Sequence, residues 1–269
     1  MNTQGHAAMP DGTDALLLSL EGTVATVTIN RANKRNAMSL AMWQAVPAIL
    51  ARLDADPQVR VMLLTGAGGN FSAGADITEF GQVRASAEQA TDYELAVDAC
   101  CDAIMHFSKP TIAVVEGFCM GGGCHLAMSC DFRFCSSDAK FAIPAARLSV
   151  VYGVSGTRKL LALVGLAEAK RILYSGAQFD AARAVMTGFA DELTAQPLRS
   201  SLDFAATLAD NAPFSIRGAK QMLNAMAMGP GLLEPAEAGR WIDAAAASED
   251  YREGRTAFAE KRRPVFTGR

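Results

Sequence analysis

The sequence predicts an α/β core followed by a helical C-terminal region. Two observations carry this. In the first half, short apolar runs of strand length alternate with longer stretches of helical periodicity. From Asp180 onward the pattern is expected to be helix after helix, broken at Gly229-Pro230. A third observation places the site. An apolar run, Ile112–Val115, leads through Gly117 to Gly121-Gly122-Gly123, and Leu126-Ala127-Met128 opens a buried helix. Glycines at a strand-to-helix junction let a ligand approach the backbone. The helix start beyond them offers unpaired N–H groups, suited to an oxygen that becomes anionic during a reaction.

Taken in order, residues 1–13 read as a flexible polar leader with no signal-peptide pattern. Leu16–Leu20 and Val24–Ile29 alternate around Glu21-Gly22 and predict a hairpin. Ser39 caps a helix reaching about Ala55, with Met42, Val46, Ile49, Leu50 and Leu53 on its apolar face. Val59–Thr65 is a buried strand, and Ala85 to Phe107 is helical. Phe132–Cys135 and Lys140–Ile143 are short strands, Ala145 to Gly156 a loop with a helical turn, and Thr157–Val164 and Glu168–Tyr174 helices. The expected division is a leader at 1–13, a core at 14–200 and a helical region at 201–269. Ile216, Met222, Leu223 and Met226 recur there at helical spacing and suit packing or assembly.

The chain has 269 residues and a net charge of −3, which argues against a general nucleic-acid binder. It has no apolar run of the roughly 18 residues a membrane helix needs. Six cysteines form no CxxC pair, so they read as reduced core residues of a cytoplasmic protein, with no metal site. The GxxxxGK[ST] and GxGxxG nucleotide fingerprints are absent.

Several segments together resemble the crotonase (enoyl-CoA hydratase/isomerase) superfamily. They are Arg31–Met38, Phe71–Ile77 with its Ala-Gly-Ala-Asp core, Lys109–Asp131 with its triple glycine, Phe141-Ala-Ile-Pro144, the stretch from Tyr174 to Ala184, and the Glu-Lys-Arg tail. The resemblance covers nearly all of the chain after Ala15. It implies a spiral of ββα turns, a homotrimer or dimer of trimers, and an acyl-CoA thioester as ligand. Coenzyme A would be part of the substrate, with no permanently bound cofactor. It also implies a thioester enolate held by two backbone N–H groups, which fall on Ala75 and Gly122. Ala73, Asp76 and Ile77 would line the coenzyme A channel. Lys34, Arg35 and Lys261 would approach the coenzyme, Lys261 from a neighbouring subunit. Asp76 and Asp131 read as structural hydrogen-bonding residues.

The sequence departs from the hydratase pattern where proton transfer takes place. The two glutamates of typical members correspond to His125 and Ala145, and the aspartate of dienoyl-CoA isomerases corresponds to Gly153. Hydration needs groups to deprotonate water and to protonate carbon, and alanine does neither. His125 admits two readings: a proton-transfer group, or a polar residue in a pocket that only binds. Tyr152, Ser155 and Arg147 lie near the expected acyl pocket. Tyr152 suits a donor or relay, and Arg147 suits either a substrate carboxylate or a structural ion pair. Glu116 stands where the family often has an asparagine. Two functions follow: an enzyme of CoA thioester chemistry with atypical catalytic residues, or a non-catalytic trimeric acyl-CoA-binding protein.

Overall fold

In the computed structural model, which describes residues 14–148, 150–228 and 248–269, the chain opens with a hairpin. Strands β1 (Leu16–Glu21) and β2 (Val24–Ile29) pair antiparallel, Leu16 opposite Ile29, across a turn in which Gly22 takes a φ of 59°. Helix α1 (Leu40–Ala55) follows, its start satisfied by Ser39, whose hydroxyl accepts from the Met42 N–H. Its buried stripe of Met42, Trp43, Val46, Ile49, Leu50 and Leu53 matches the predicted face and adds Trp43. Strand β3 (Val61–Gly66), the short helix α2 (Phe80–Val83) and the long helix α3 (Ala87–His106) come next. Ser86 and Gln89 close the start of α3 with a reciprocal capping box.

The chain then winds in a spiral, each turn giving one strand to a large sheet, one to a small sheet, and a helix. One turn is β4 (Thr111–Val115), β5 (Phe118–Met120) and α4 (Gly122–Ser129). The next is β6 (Phe132–Cys135), β7 (Lys140–Ala142) and α5 (Val154–Ser175). Helix α5 is two helices meeting at Gly165, whose φ of 72° and ψ of 171° lie outside the helical region. Strand β8 (Phe179–Asp180), helix α6 (Ala181–Met186), strand β9 (Glu192–Leu193) and helices α7 (Pro197–Ala209), α8 (Pro213–Met228) and α9 (Glu249–Glu260) complete the described chain. The large sheet has the order β1-β2-β3-β4-β6-β9, parallel from β2 onward, and the small sheet the order β5-β7-β8.

The region after Asp180 is therefore not helix alone. Strand β9 adds a short parallel edge to β6, Phe134 opposite Glu192, held by buried Arg133. The Arg133 guanidinium donates to the Phe189 and Cys130 carbonyls and pairs with Asp191 at 2.7 Å. The expected division at residue 200 falls inside α7. That helix packs Ala205 and Phe204 against Leu63, Ile112, Val114 and Phe134, covering the sheet face opposite α1 and α3. The six cysteines are buried and unbridged. Asp131 is structural, as expected: it accepts from Thr111 and pairs with Lys220 at 2.8 Å. The leader and the Gly229-Pro230 break lie outside the described residues.

Candidate active site

The two turns singled out by the sequence meet. A Cβ placed on Gly74 would stand 2.5 Å from the Met120 carbonyl oxygen and 3.0 Å from the Gly122 nitrogen. Only glycine permits that approach, and with a φ of 89° only glycine adopts it without strain. A Cβ on Gly122 would stand 3.6 Å from the Ala75 nitrogen and 3.1 Å from the Trp43 ring. Hydrogen bonds lock both turns. Met38 donates to Gly74 and accepts from Asp76, Met120 donates to Ser72, and Gly121 donates to Ala142. Among the described residues, the N–H groups of Ala75 and Gly122 have no protein acceptor; Gly122 is the first residue of α4 and its N–H lies outside the helical ladder. Two N–H groups therefore stand free where the turns cross.

They open onto a cavity of about 180 Å³. Trp43, Ile77, Phe80 and Val97 line its apolar part, with Ala73, Gly74 and Ala75 on one wall and Gly121 and Gly122 on another. Trp43 is fixed from behind by its Nε1–H donating to the Tyr93 hydroxyl at 3.1 Å. The polar side chains at the cavity are Tyr93, Asp98, His125 and Tyr152, with Arg84 and Glu94 paired to each other at 2.7 Å.

Tyr152 donates to the Gly121 carbonyl at 3.3 Å and tilts its ring over His125 at 6.0 Å. Gly156 makes room for it, since a Cβ there would be 2.6 Å from the phenol ring. Burial pushes the phenol well above its usual range, so it stays protonated and acts as a donor. His125 is buried, and its Nε2 faces Lys159 Nζ at 3.3 Å and Ser155 Oγ at 3.5 Å. Ser155 and Lys159 both bond Asp102 at 2.8 Å, and the three line a second, larger cavity of about 600 Å³. Ser155 is thus near His125 but outside the small cavity.

Asp98 is the residue that sequence reasoning missed. Glu94, Asp98, Asp102 and His106 form one row along α3, each four residues from the next. Arg84 neutralises Glu94 and Lys159 neutralises Asp102. Asp98 makes no hydrogen bond or ion pair to any described residue. Burial pushes its carboxyl above the usual carboxylate range, and the charge of Asp102 one turn along adds to the rise. Its oxygens lie 3.8 and 4.0 Å from where a Cβ on Gly153 would be. A carboxylate from α3 thus reaches the space a side chain at Gly153 would enter.

The other expected residues divide. Ala73 and Ile77 line the cavity, and Ala145 is in its wall as the alanine that the sequence specifies. Asp76 does not face it. Asp76 accepts from Arg31 and Lys34 at 2.9 Å and from Thr78. Burial alone would raise its carboxyl, but the bonds from Thr78, Lys34 and Arg31 outweigh that and hold it well below the usual range. Lys34 is drawn inward by that pair, and Arg35 stacks its guanidinium over the Phe118 ring at 4.8 Å. Lys34, Arg35 and Lys261 are not among the residues around the cavity, nor are Glu116 and Arg147. Arg147 donates to the Ser175 carbonyl, and the Glu116 carbonyl accepts from Phe71. Among the described residues no group of three or more His, Cys, Asp or Glu could hold a metal ion, and no helix is long and apolar enough to cross a membrane.

A spiral of strand–strand–helix turns, with two glycine-flanked turns crossing over an apolar cavity, is the crotonase fold. The sequence profile of the enoyl-CoA hydratase/isomerase family matches residues 19–269, and the chain belongs to that family. It is 31% identical over 254 residues to the short-chain-enoyl-CoA hydratase of Clostridium acetobutylicum, covering 92% of this chain and 95% of that one. The crystal structure of an enoyl-CoA hydratase/isomerase family protein from Hyphomonas neptunium superposes with a TM-score of 0.91 at 36% identity, covering 95% and 98% of the two chains. That of an enoyl-CoA hydratase/carnithine racemase from Magnetospirillum magneticum gives 0.90 at 34%, covering 96% and 97%.

Proposed function

We propose that this protein acts on an acyl-CoA thioester, holds its enolate between the N–H groups of Ala75 and Gly122, and moves one proton with Asp98. The observation that carries the reading is a single unpaired carboxylate, raised by burial, in the same small cavity as two free N–H groups. In a double-bond isomerisation, Asp98 takes a proton from the α-carbon of a 3-enoyl thioester. The C–H electron pair moves into the carbonyl, whose oxygen becomes anionic between the two donors. Asp98 returns the proton to the γ-carbon, leaving a 2-enoyl thioester. One carboxylate suffices for this proton shift. Hydration would need two groups around a water, and the two positions hold His125 and Ala145. Each oxyanion donor is worth about 2.7–4 kcal/mol of barrier.

In this reading Ala73, Asp76 and Ile77 form the channel for coenzyme A, Asp76 by pinning its turn. Lys34, Arg35 and a partner subunit's tail lysine, equivalent to Lys261, supply charge to its phosphates. Tyr152 and His125 orient the acyl group. Assembly as a trimer or dimer of trimers is supported by apolar side chains such as Leu223 and Met226, which are exposed on α8 in the single chain. The test is exchange of the α-protons of acyl-CoA thioesters in deuterated water, together with conversion of 3-enoyl-CoA. Wild-type protein is expected to exchange and isomerise, and Asp98→Asn to lose at least a hundredfold while still binding acyl-CoA by calorimetry. Full exchange by Asp98→Asn would overturn the role of Asp98. Binding without exchange in the wild type would make the protein a non-catalytic acyl-CoA binder.

A further inference from the structure

His125 lines the small cavity and contacts Lys159 and Ser155, which line the larger one. Its Nε2 lies 3.3 Å from the ammonium of Lys159, which is only 1% exposed. Lys159 Nζ contacts three acceptors: Asp102 Oδ1 at 2.8 Å, Ser155 Oγ at 3.0 Å and His125 Nε2 at 3.3 Å. An ammonium has three N–H donors and no lone pair, so each donor has one partner. Ser155 spends its own hydrogen on Asp102. A ring nitrogen that faces an ammonium can only accept, so the ring hydrogen must sit on Nδ1.

We infer that Lys159 is a positioning residue that locks His125 as the Nδ1–H tautomer and withdraws its Nε2 from proton transfer. The inference deepens the proposed function, because it explains why the proton passes to Asp98 and not to the histidine at the first glutamate position. The charged and titratable groups that face the ring are Lys159 from α5, Asp98, Cys101 and Asp102 from α3, and Tyr152 from the loop before α5. Lys159 is the one among them within hydrogen-bond reach of Nε2 that can only donate. The ion pair with Asp102 holds it there: Asp102 is lowered, since the bond and charge of Lys159 outweigh burial, which alone would raise it.

The deciding measurement is long-range proton–nitrogen correlation on protein labelled with ¹⁵N-histidine, with the His125 signals assigned by their loss in His125→Gln. In the wild type we expect a pyrrole-type Nδ1 and a pyridine-type Nε2. In Lys159→Met we expect a shift of the hydrogen toward Nε2. Lys159→Arg, which keeps the donor, should restore the wild-type pattern. The double variant Lys159→Met/Asp102→Asn leaves no charge unpaired, and it serves if the single variant does not fold. A wild-type spectrum with the hydrogen on Nε2, or a Lys159→Met or double-variant spectrum identical to wild type, would overturn the inference. These spectra need no substrate, so failure of the proposed chemistry would appear separately, as absent exchange in wild-type protein.

Discussion

Gly122→Ala separates packing from electrostatics at the turn crossing. The added methyl would lie 3.1 and 3.2 Å from two atoms of the Trp43 ring, closer than carbon atoms pack by a few tenths of an ångström. Trp43 cannot retreat freely, being fully buried and bonded to Tyr93. Overpacking of this kind costs about 1–3 kcal/mol. The same methyl stands 3.6 Å from the Ala75 nitrogen, in the space where an oxygen bridging the two N–H groups would sit. Loss of one such donor reduces turnover by about 10²–10³-fold. Trp43→Phe removes the ring edge that clashes, so in its background the stability cost of Gly122→Ala should shrink. The coupling between the two sites is expected at about 0.5–3 kcal/mol, as for residues in contact. Exchange should stay low in the double variant relative to Trp43→Phe alone. Urea denaturation and α-proton exchange measure the two effects. Near-wild-type exchange by Gly122→Ala, or strictly additive stability costs, would refute the reasoning.

Other outcomes follow from the charges. The folded protein holds the Asp98 proton more tightly than the unfolded chain, so the ionised carboxylate destabilises the fold. Asp98→Asn should therefore be more stable than wild type at neutral pH, with the gap in urea midpoint narrowing as the pH falls toward about 4. In the proposed isomerisation Asp98 acts ionised, so the acid limb of the exchange rate should lie above the ordinary carboxylate range, and pH profiles would show it. Asp76 has the opposite sign: its contribution is full above about pH 4 and is lost as the pH falls through its depressed folded value. Asp76→Asn should cost about 1–3 kcal/mol at neutral pH, read by urea denaturation, and little in strong acid. Arg35→Ala should weaken coenzyme A affinity in titration calorimetry and leave the exchange rate at saturation unchanged.

Much of this was legible in the sequence. The hairpin alternation, the Ser39 cap and the Phe132–Cys135 strand give their elements to within a residue or two, because local patterns determine them. Strand β5 was not legible: three residues between Gly117 and Gly121 carry too little periodicity, and the strand exists because β7 pairs with it. The same holds for β8 and β9, two residues each. The glycine turns were visible one at a time, but their crossing is a tertiary fact. Asp98 left a trace, as the middle of three acids spaced four apart, a row that costs stability on an isolated helix. Which of the three stays unpaired depends on Arg84 and Lys159, and the latter is 57 residues from its partner Asp102.

The two unbonded N–H groups belong to the main chain, and every amino acid except proline carries the same group. A point mutation at position 75 changes a side chain and leaves the donor in place. What heredity must guard is the emptiness around it: the missing side chains at Gly74, Gly122 and Gly123, the last of which lies against the Ser72 carbonyl. Substitution at His125 or Ala145 changes a group at the cavity directly, whereas the two N–H groups are reached only through the backbone that carries them.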